Sequence, residues 1–103
     1  MTRQSLIPLL GTILSDHREW FETKGNSGVF ADLSEENLEE GNFEDTVLVE
    51  ANFQGSNLHK SNFRNSDLRG ANFHDARLTQ AQFQNSNLEE TDLMWADLKG
   101  ANF

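Results

Sequence analysis

From residue 31 to residue 103 a Leu or Phe falls on every fifth position: Leu33, Leu38, Phe43, Leu48, Phe53, Leu58, Phe63, Leu68, Phe73, Leu78, Phe83, Leu88, Leu93, Leu98 and Phe103. An amphipathic helix spaces its apolar residues three and four apart, and a half-buried strand spaces them two apart. A step of five fits neither, so the repeating unit is itself the structural element. Two residues before each of these beats stands Ala, Gly, Ser or Thr, with Glu36 the one departure. Residues two apart share one side of an extended backbone. The large side chain therefore fills an interior, and the small one lets neighbouring segments approach. The residue before the beat is Asn or Asp except at Val47, Arg77 and Gln82. Such short polar side chains hydrogen-bond nearby backbone at a bend. Each pentad thus reads as a short wall followed by a corner.

Every twentieth residue gives nearly uniform columns: Leu38, Leu58, Leu78, Leu98; then Phe43, Phe63, Phe83, Phe103; then Leu48, Leu68, Leu88. The remaining column, Leu33, Phe53, Phe73 and Leu93, is mixed. Like stacking on like is what four walls per coil produce. Much of the alternation has a period of ten and also suits two walls, but so small a coil leaves little room for an interior. The predicted fold is an all-β solenoid over residues 31–103, with four pentads per coil and nearly four coils.

Ala51-Asn52-Phe53-Gln54-Gly55, Ser66-Asp67-Leu68-Arg69-Gly70 and Ala71-Asn72-Phe73-His74-Asp75 resemble the A(D/N)LXX unit of the pentapeptide repeat family. Consecutive units of this kind cover most of the chain. The resemblance implies a right-handed quadrilateral β-helix. It also brings in one family activity, the protection or inhibition of DNA gyrase by mimicry of DNA.

Residues 1–30 are off the beat and read as an N-terminal helical cap, since solenoids need covers for their end faces. Leu6, Leu9, Leu10, Ile13, Leu14, His17, Trp20 and Phe21 recur at helical spacing. Ser5 is the expected N-cap, Pro8 is tolerated in the first turn, and Lys24 followed by Gly25-Asn26 is the stop. The expected helix runs over about residues 5–24 and lies across the opening of the first coil. Its apolar stripe could also serve a partner or a membrane surface.

Charge adds a second pattern. The chain carries a net charge of −9 at pH 7. Residues 32–50 hold many acids and no Lys or Arg, residues 51–80 are net basic, and the remainder is again acidic. Stacking by twenty sets Glu40 over Lys60, Glu44 over Arg64 and Arg69 over Glu89, which predicts exposed cross-coil ion pairs. The alternative is an acidic collar that meets a basic partner. Candidate partner contacts are Glu35, Glu39, Glu40, Glu44 and Asp45 of that collar, with Met94 and Trp95, an outward apolar pair. Val47 and Val49 also break the polar exterior. The end face at Leu93, Leu98 and Phe103 has no cover in the sequence. It is expected to dock on an unknown protein or a second copy, giving a homo-oligomer, unless the chain is a segment of something longer.

The sequence offers little chemistry. It contains no Cys, which excludes disulfides and Cys-ligated metals. His17 is expected on the helix, and His59 and His74 just after beats on different walls, all as separate polar surface residues. No catalytic constellation, metal site or phosphate-binding Gly loop is visible, so no catalytic residue, cofactor or metal is expected, and no enzyme. The acidic balance argues against nucleic-acid binding. Mimicry of DNA is the rival reading. A rod of nearly four coils at about 4.8 Å each is roughly half of one DNA turn, about 34–36 Å, so mimicry needs an end-to-end pair. The apolar cluster Leu6 to Leu14 is interrupted by Pro8, Gly11 and Thr12, too short for a membrane span and without signal-peptide flanks. A cytoplasmic protein without membrane partners is expected.

Overall fold

Backbone pairing in the computed structural model, which describes residues 4–103, advances twenty residues at a time. Asp32 pairs in parallel with Asn52, Asn52 with Asn72, and Asn72 with Asp92. Three further ladders start at Asn37, Asn42 and Val47. Four pentads therefore complete each coil. Residues 31–35, 51–55, 71–75 and 91–95 form the first wall, and residues 36–40, 56–60, 76–80 and 96–100 the second. Residues 41–45, 61–65, 81–85 and 101–103 form the third, and residues 46–50, 66–70 and 86–90 the fourth. Each contact is an isolated bridge because the chain turns again after every wall. The ladder bonds run both ways: Phe43 N–H donates to the Asn62 carbonyl at 2.7 Å, and Asn62 N–H to the Gly41 carbonyl at 2.9 Å.

The corners follow from the residues around each beat. Ala51 N–H donates to the Leu48 carbonyl at 3.0 Å, closing a four-residue turn whose third residue, Glu50, has φ +64°. A positive φ at that place is the type II signature. The Asn before the beat braces the turn: Asn52 Oδ1 accepts from Gln54 N–H at 3.0 Å, and Asn72 Oδ1 from His74 N–H at 2.9 Å. The small inward residues act similarly where they are Ser, as Ser56 Oγ donates to the Phe53 carbonyl at 2.7 Å.

Every beat from Leu33 to Phe83 is at most 2% exposed. Leu88, Leu93 and Leu98 are half-buried, and Phe103 is exposed. The Phe rings form two stacks from opposite walls. Phe43 and Phe63 lie 4.6 Å apart and nearly parallel, as do Phe53 and Phe73 at 4.8 Å. The two stacks meet edge to face, Phe43 against Phe53 at 5.5 Å and 90°. Both geometries are favoured by the ring quadrupole.

Below the first coil, a 3-10 turn at Ile7–Leu9 leads into α1, Leu10–Glu22. The helix is shorter than expected at its start. Ser5 is not the N-cap of α1: its Oγ accepts from Ile7 N–H at 3.1 Å at the start of the 3-10 turn, its backbone pairs in parallel with Asn37, and Leu6 N–H donates to the Asn37 carbonyl at 3.3 Å. Leu6 thereby stands where a beat of a preceding coil would stand. At the other end Lys24 takes φ +55°, Gly25 N–H reaches the Trp20 carbonyl at 2.8 Å, and Lys24 N–H reaches that of Phe21 at 3.2 Å. This is a Schellman stop with Lys24 rather than Gly25 in the left-handed place. Leu10 is buried in the solenoid core, with Leu6, Ile13 and Leu14 packed against it. The helix also explains the apolar exceptions of the fourth wall. Val47 shares a depression with Leu14, and Val49, only 7% exposed, shares one with Phe21. The link back to the first wall folds over α1, where Val29 N–H donates to the Asp16 carbonyl. At Gly28 a Cβ would lie 2.3 Å from the Trp20 backbone nitrogen, so no other residue fits.

His17 is the largest departure from expectation, because it is buried rather than a surface residue. Ala31 N–H donates to Nδ1 at 2.9 Å, so Nε2 carries the proton and donates to the Val49 carbonyl at 2.8 Å. The imidazole joins the first residue of the first coil to its last but one, through backbone groups that have no coil beneath them. It stacks on Trp20 at 5.2 Å and tilts against Phe30 at 5.5 Å. Burial holds its pKa below the ordinary value, outweighing the Val49 hydrogen bond and the nearby Glu50, which both act upward. The unfolded chain therefore takes up a proton more readily, near the ordinary pKa of about 6.5. The stability His17 contributes is complete above that value and is lost as pH falls through it toward the lowered folded value.

Two outcomes are expected. Phe63→Ala should cost about 3–5 kcal/mol in urea unfolding and Phe103→Ala about 1 kcal/mol or less, since only the first opens a cavity in a closed stack. The urea midpoint should fall between about pH 7 and pH 5.5, and His17→Gln should lower stability and remove much of that slope.

Candidate interaction surface

With the beats turned inward, the remaining side chains lie on four outer walls and their corners. The depressions found between α1 and the solenoid are open and small, 210 to 260 Å³. Ordinary ligand sites run to about 300–1,000 Å³. Among the described residues no three His, Asp or Glu side chains are grouped to hold a metal ion. His59 bonds Thr79 one coil above it, and His74 sits 3.4 Å from Asp75, so the three histidines do not converge.

The acidic collar is real in sequence but dispersed in space. Glu35, Glu40, Asp45 and Glu50 occupy the four successive corners of the first coil, at φ +58°, +60°, +59° and +64°. Glu39 lies on the second wall and Glu44 on the third, both exposed. These carboxylates point outward around the rod rather than toward one place. Glu35 lies over Gly55 of the next coil, where a Cβ would meet its carboxylate at 2.3 Å.

None of the three expected cross-coil ion pairs closes among the described residues. Arg69 instead forks onto Asp67 of its own pentad, Nε to Oδ1 at 2.8 Å and Nη2 to Oδ2 at 2.7 Å. This pair holds Asp67 below the usual carboxylate range and Arg69 above its ordinary value. Glu44 accepts from Asn62 Nδ2 at 3.0 Å. Stacked residues project side by side into water, where bringing two long charged side chains together gains little. Asp32 is likewise held low, by the Ser34 hydroxyl and amide and by Asn52.

Grouping charges by wall shows a pattern the linear order hides. Lys60, Arg77 and Lys99 fall on the second wall, Arg64 on the third and Arg69 on the fourth. The first wall has no Lys or Arg; it carries Asp32, Glu35, Asp75, Asp92 and the lone His74. At its top, Met94 and Trp95 are 61% and 77% exposed. Trp95 is a corner residue at φ +64°, above Gly55 and Asp75 in the same column. Its turn is closed by Ala96 N–H to the Leu93 carbonyl at 3.1 Å. Asp92 Oδ1 accepts from Met94 N–H at 2.9 Å, and the Met94 carbonyl accepts from Asp75 N–H at 3.1 Å. Asp92 and Asp75 thus adjoin the apolar pair, one in its own coil and one in the coil below, and the Asp75 carboxylate also faces His74.

A walled coil with an inward beat defines a class of solenoid, and the comparisons agree. A model of the pentapeptide repeat region matches residues 30–103, so the chain belongs to the pentapeptide repeat proteins, which form right-handed quadrilateral β-helices. It is similar to the crystal structure of a pentapeptide repeat protein from the thylakoid lumen of Arabidopsis thaliana. That match has 35% identity and a TM-score of 0.68, over 69% of this chain and 49% of the other. It is also similar to a pentapeptide repeat protein of the cyanobacterium Cyanothece 51142, with 37% identity and a TM-score of 0.60, over 70% of this chain and 53% of the other. The chain thus matches only about half the length of each. A search of the curated proteins finds no match. No catalytic family is indicated. Among the described residues no helix is long and apolar enough to cross a membrane.

Proposed function

We propose that this chain is a non-enzymatic scaffold or protein-interaction module. In it residues 4–30 cap a solenoid of nearly four coils over residues 31–103, and the outer walls carry the recognition. One observation supports this above others: the large side chains of the beats fill the interior, leaving a convex exterior whose depressions are small and open. Such an exterior suits contact with another macromolecule better than enclosure of a small one. A cytoplasmic location belongs to the same reading; the thylakoid lumen of the Arabidopsis protein is the competing compartment.

A second reading, mimicry of DNA toward an enzyme such as gyrase, draws support from the carboxylate at each corner of the first coil. It is the weaker one, because the columns above these carboxylates do not stay acidic: Gly55, Lys60, Asn65 and Gly70 stand directly over them.

Photo-crosslinking residues placed singly at Glu39, Glu44, Met94 and Trp95, in cells that make the protein, should yield a discrete adduct from at least one wall. Adducts from none of the four positions would refute the module. In a supercoiling assay with purified gyrase, the scaffold reading expects no inhibition or protection by tens of micromolar protein; either effect would favour the mimic.

A further inference from the structure

Trp95 does nothing evident for the fold. A bulky side chain at positive φ is a conformational outlier, and this one has little packing to offset it, being 77% exposed. The other corners use residues that tolerate the left-handed region or are long and polar, such as Gly55, Asn65, Asn85 and Lys60. Met94 beside it is also exposed, so the two form an apolar step on an otherwise polar wall. Trp is the residue most enriched among contacts that dominate binding.

Charge names the occupant. Asp75 and Asp92 adjoin the pair, Asp32 and Glu35 lie lower on the same wall, and no Lys or Arg shares it. Carboxylates beside an open indole face favour Lys or Arg, through ion pairing and through attraction of a cation to the ring. They disfavour phosphate-bearing nucleic acid. They equally disfavour a second copy docked strip to strip, which would set acid against acid.

We propose that the first wall is a docking strip for a Lys- or Arg-bearing amphipathic segment of another protein. An apolar side chain of that segment seats on Met94 and Trp95, and its cations face Asp75 and Asp92. This inference rests on the interaction-module reading and adds to it one wall and one partner chemistry.

The test is fluorescence anisotropy on the full chain at about pH 7.5. The probe is a labelled amphipathic Lys/Leu peptide, with Lys/Ser and Glu/Leu peptides as controls. The Lys/Leu peptide should bind at least about tenfold more tightly than either control, corresponding to about 1.4 kcal/mol. Trp95→Gly should weaken it about tenfold or more without lowering the melting temperature, since Gly55 already serves the same corner column. Asp75→Asn with Asp92→Asn should weaken it severalfold and flatten its salt dependence. Asn is native to the latter ladder at Asn52 and Asn72 and to left-handed corners at Asn65 and Asn85, so both substitutions suit the fold.

Lys/Leu binding no tighter than Lys/Ser would overturn the partner chemistry. Equal binding by the parent and Trp95→Gly would overturn the wall while leaving the module reading intact. Concentration-dependent self-association abolished by Trp95→Gly would make the occupant a second copy and overturn the proposal. Crosslinking that fails at all four positions would remove the module reading itself, whatever the peptide does.

Discussion

The match between ring thickness and strand spacing holds this molecule together. Coils joined by parallel backbone bonds must stack at about 4.7–4.9 Å. Whatever fills the interior has to repeat at that distance without leaving voids. Phe43 over Phe63 at 4.6 Å and Phe53 over Phe73 at 4.8 Å meet the requirement almost without adjustment. Perpendicular contact between the two stacks lets opposite walls meet at the centre without a gap. Leu from the other two walls completes each layer. The beat in the sequence is the chemical record of that constraint.

The second constraint is the corner. Each coil turns four times, and each turn puts the residue two after the beat at positive φ. This costs a residue with a Cβ about 1–2 kcal/mol relative to a right-handed conformation. The chain accepts it at Glu, Asp, Lys, Gln, Asn and Trp alike. The ladder bonds and buried beats on either side of each turn leave the backbone no alternative. Corner chemistry is therefore free of core packing, and side chains there answer to solvent or partners.

That separation explains what could be read from the sequence. The beats, the small inward residues and the braced Asn positions are local rules repeated many times, so the walls, the step of twenty and most of the core were legible. The ten-residue period in much of the Phe and Leu alternation obscured the choice between ten and twenty residues per coil, and backbone pairing decides it. The cap is not repeated, and there the reading failed in detail. His17 falls in the apolar stripe of the helix, but its role depends on Ala31 and Val49, which only folding brings to its two nitrogens. Ser5 looked like a helix cap because it precedes an apolar stripe, yet the edge below Asn37 competed for the same segment and won. Val47 and Val49 looked like exposed exceptions for the same reason, since the helix that covers them lies about thirty residues away in sequence.

Charge shows most plainly how the winding rearranges information. A run of acids that looks concentrated along the chain is spread by the coil to every side of the rod, one carboxylate to a corner. Meanwhile Asp32, Asp75 and Asp92, separated by up to sixty residues in the chain, come to share a single wall with Trp95. Density along the sequence is thus a poor guide to density on the surface whenever the repeat is short and the coil is closed. For a solenoid the informative quantity is the column. By that measure the wall beneath Met94 and Trp95 is the one face of the rod whose acids stand with neither Lys nor Arg among them.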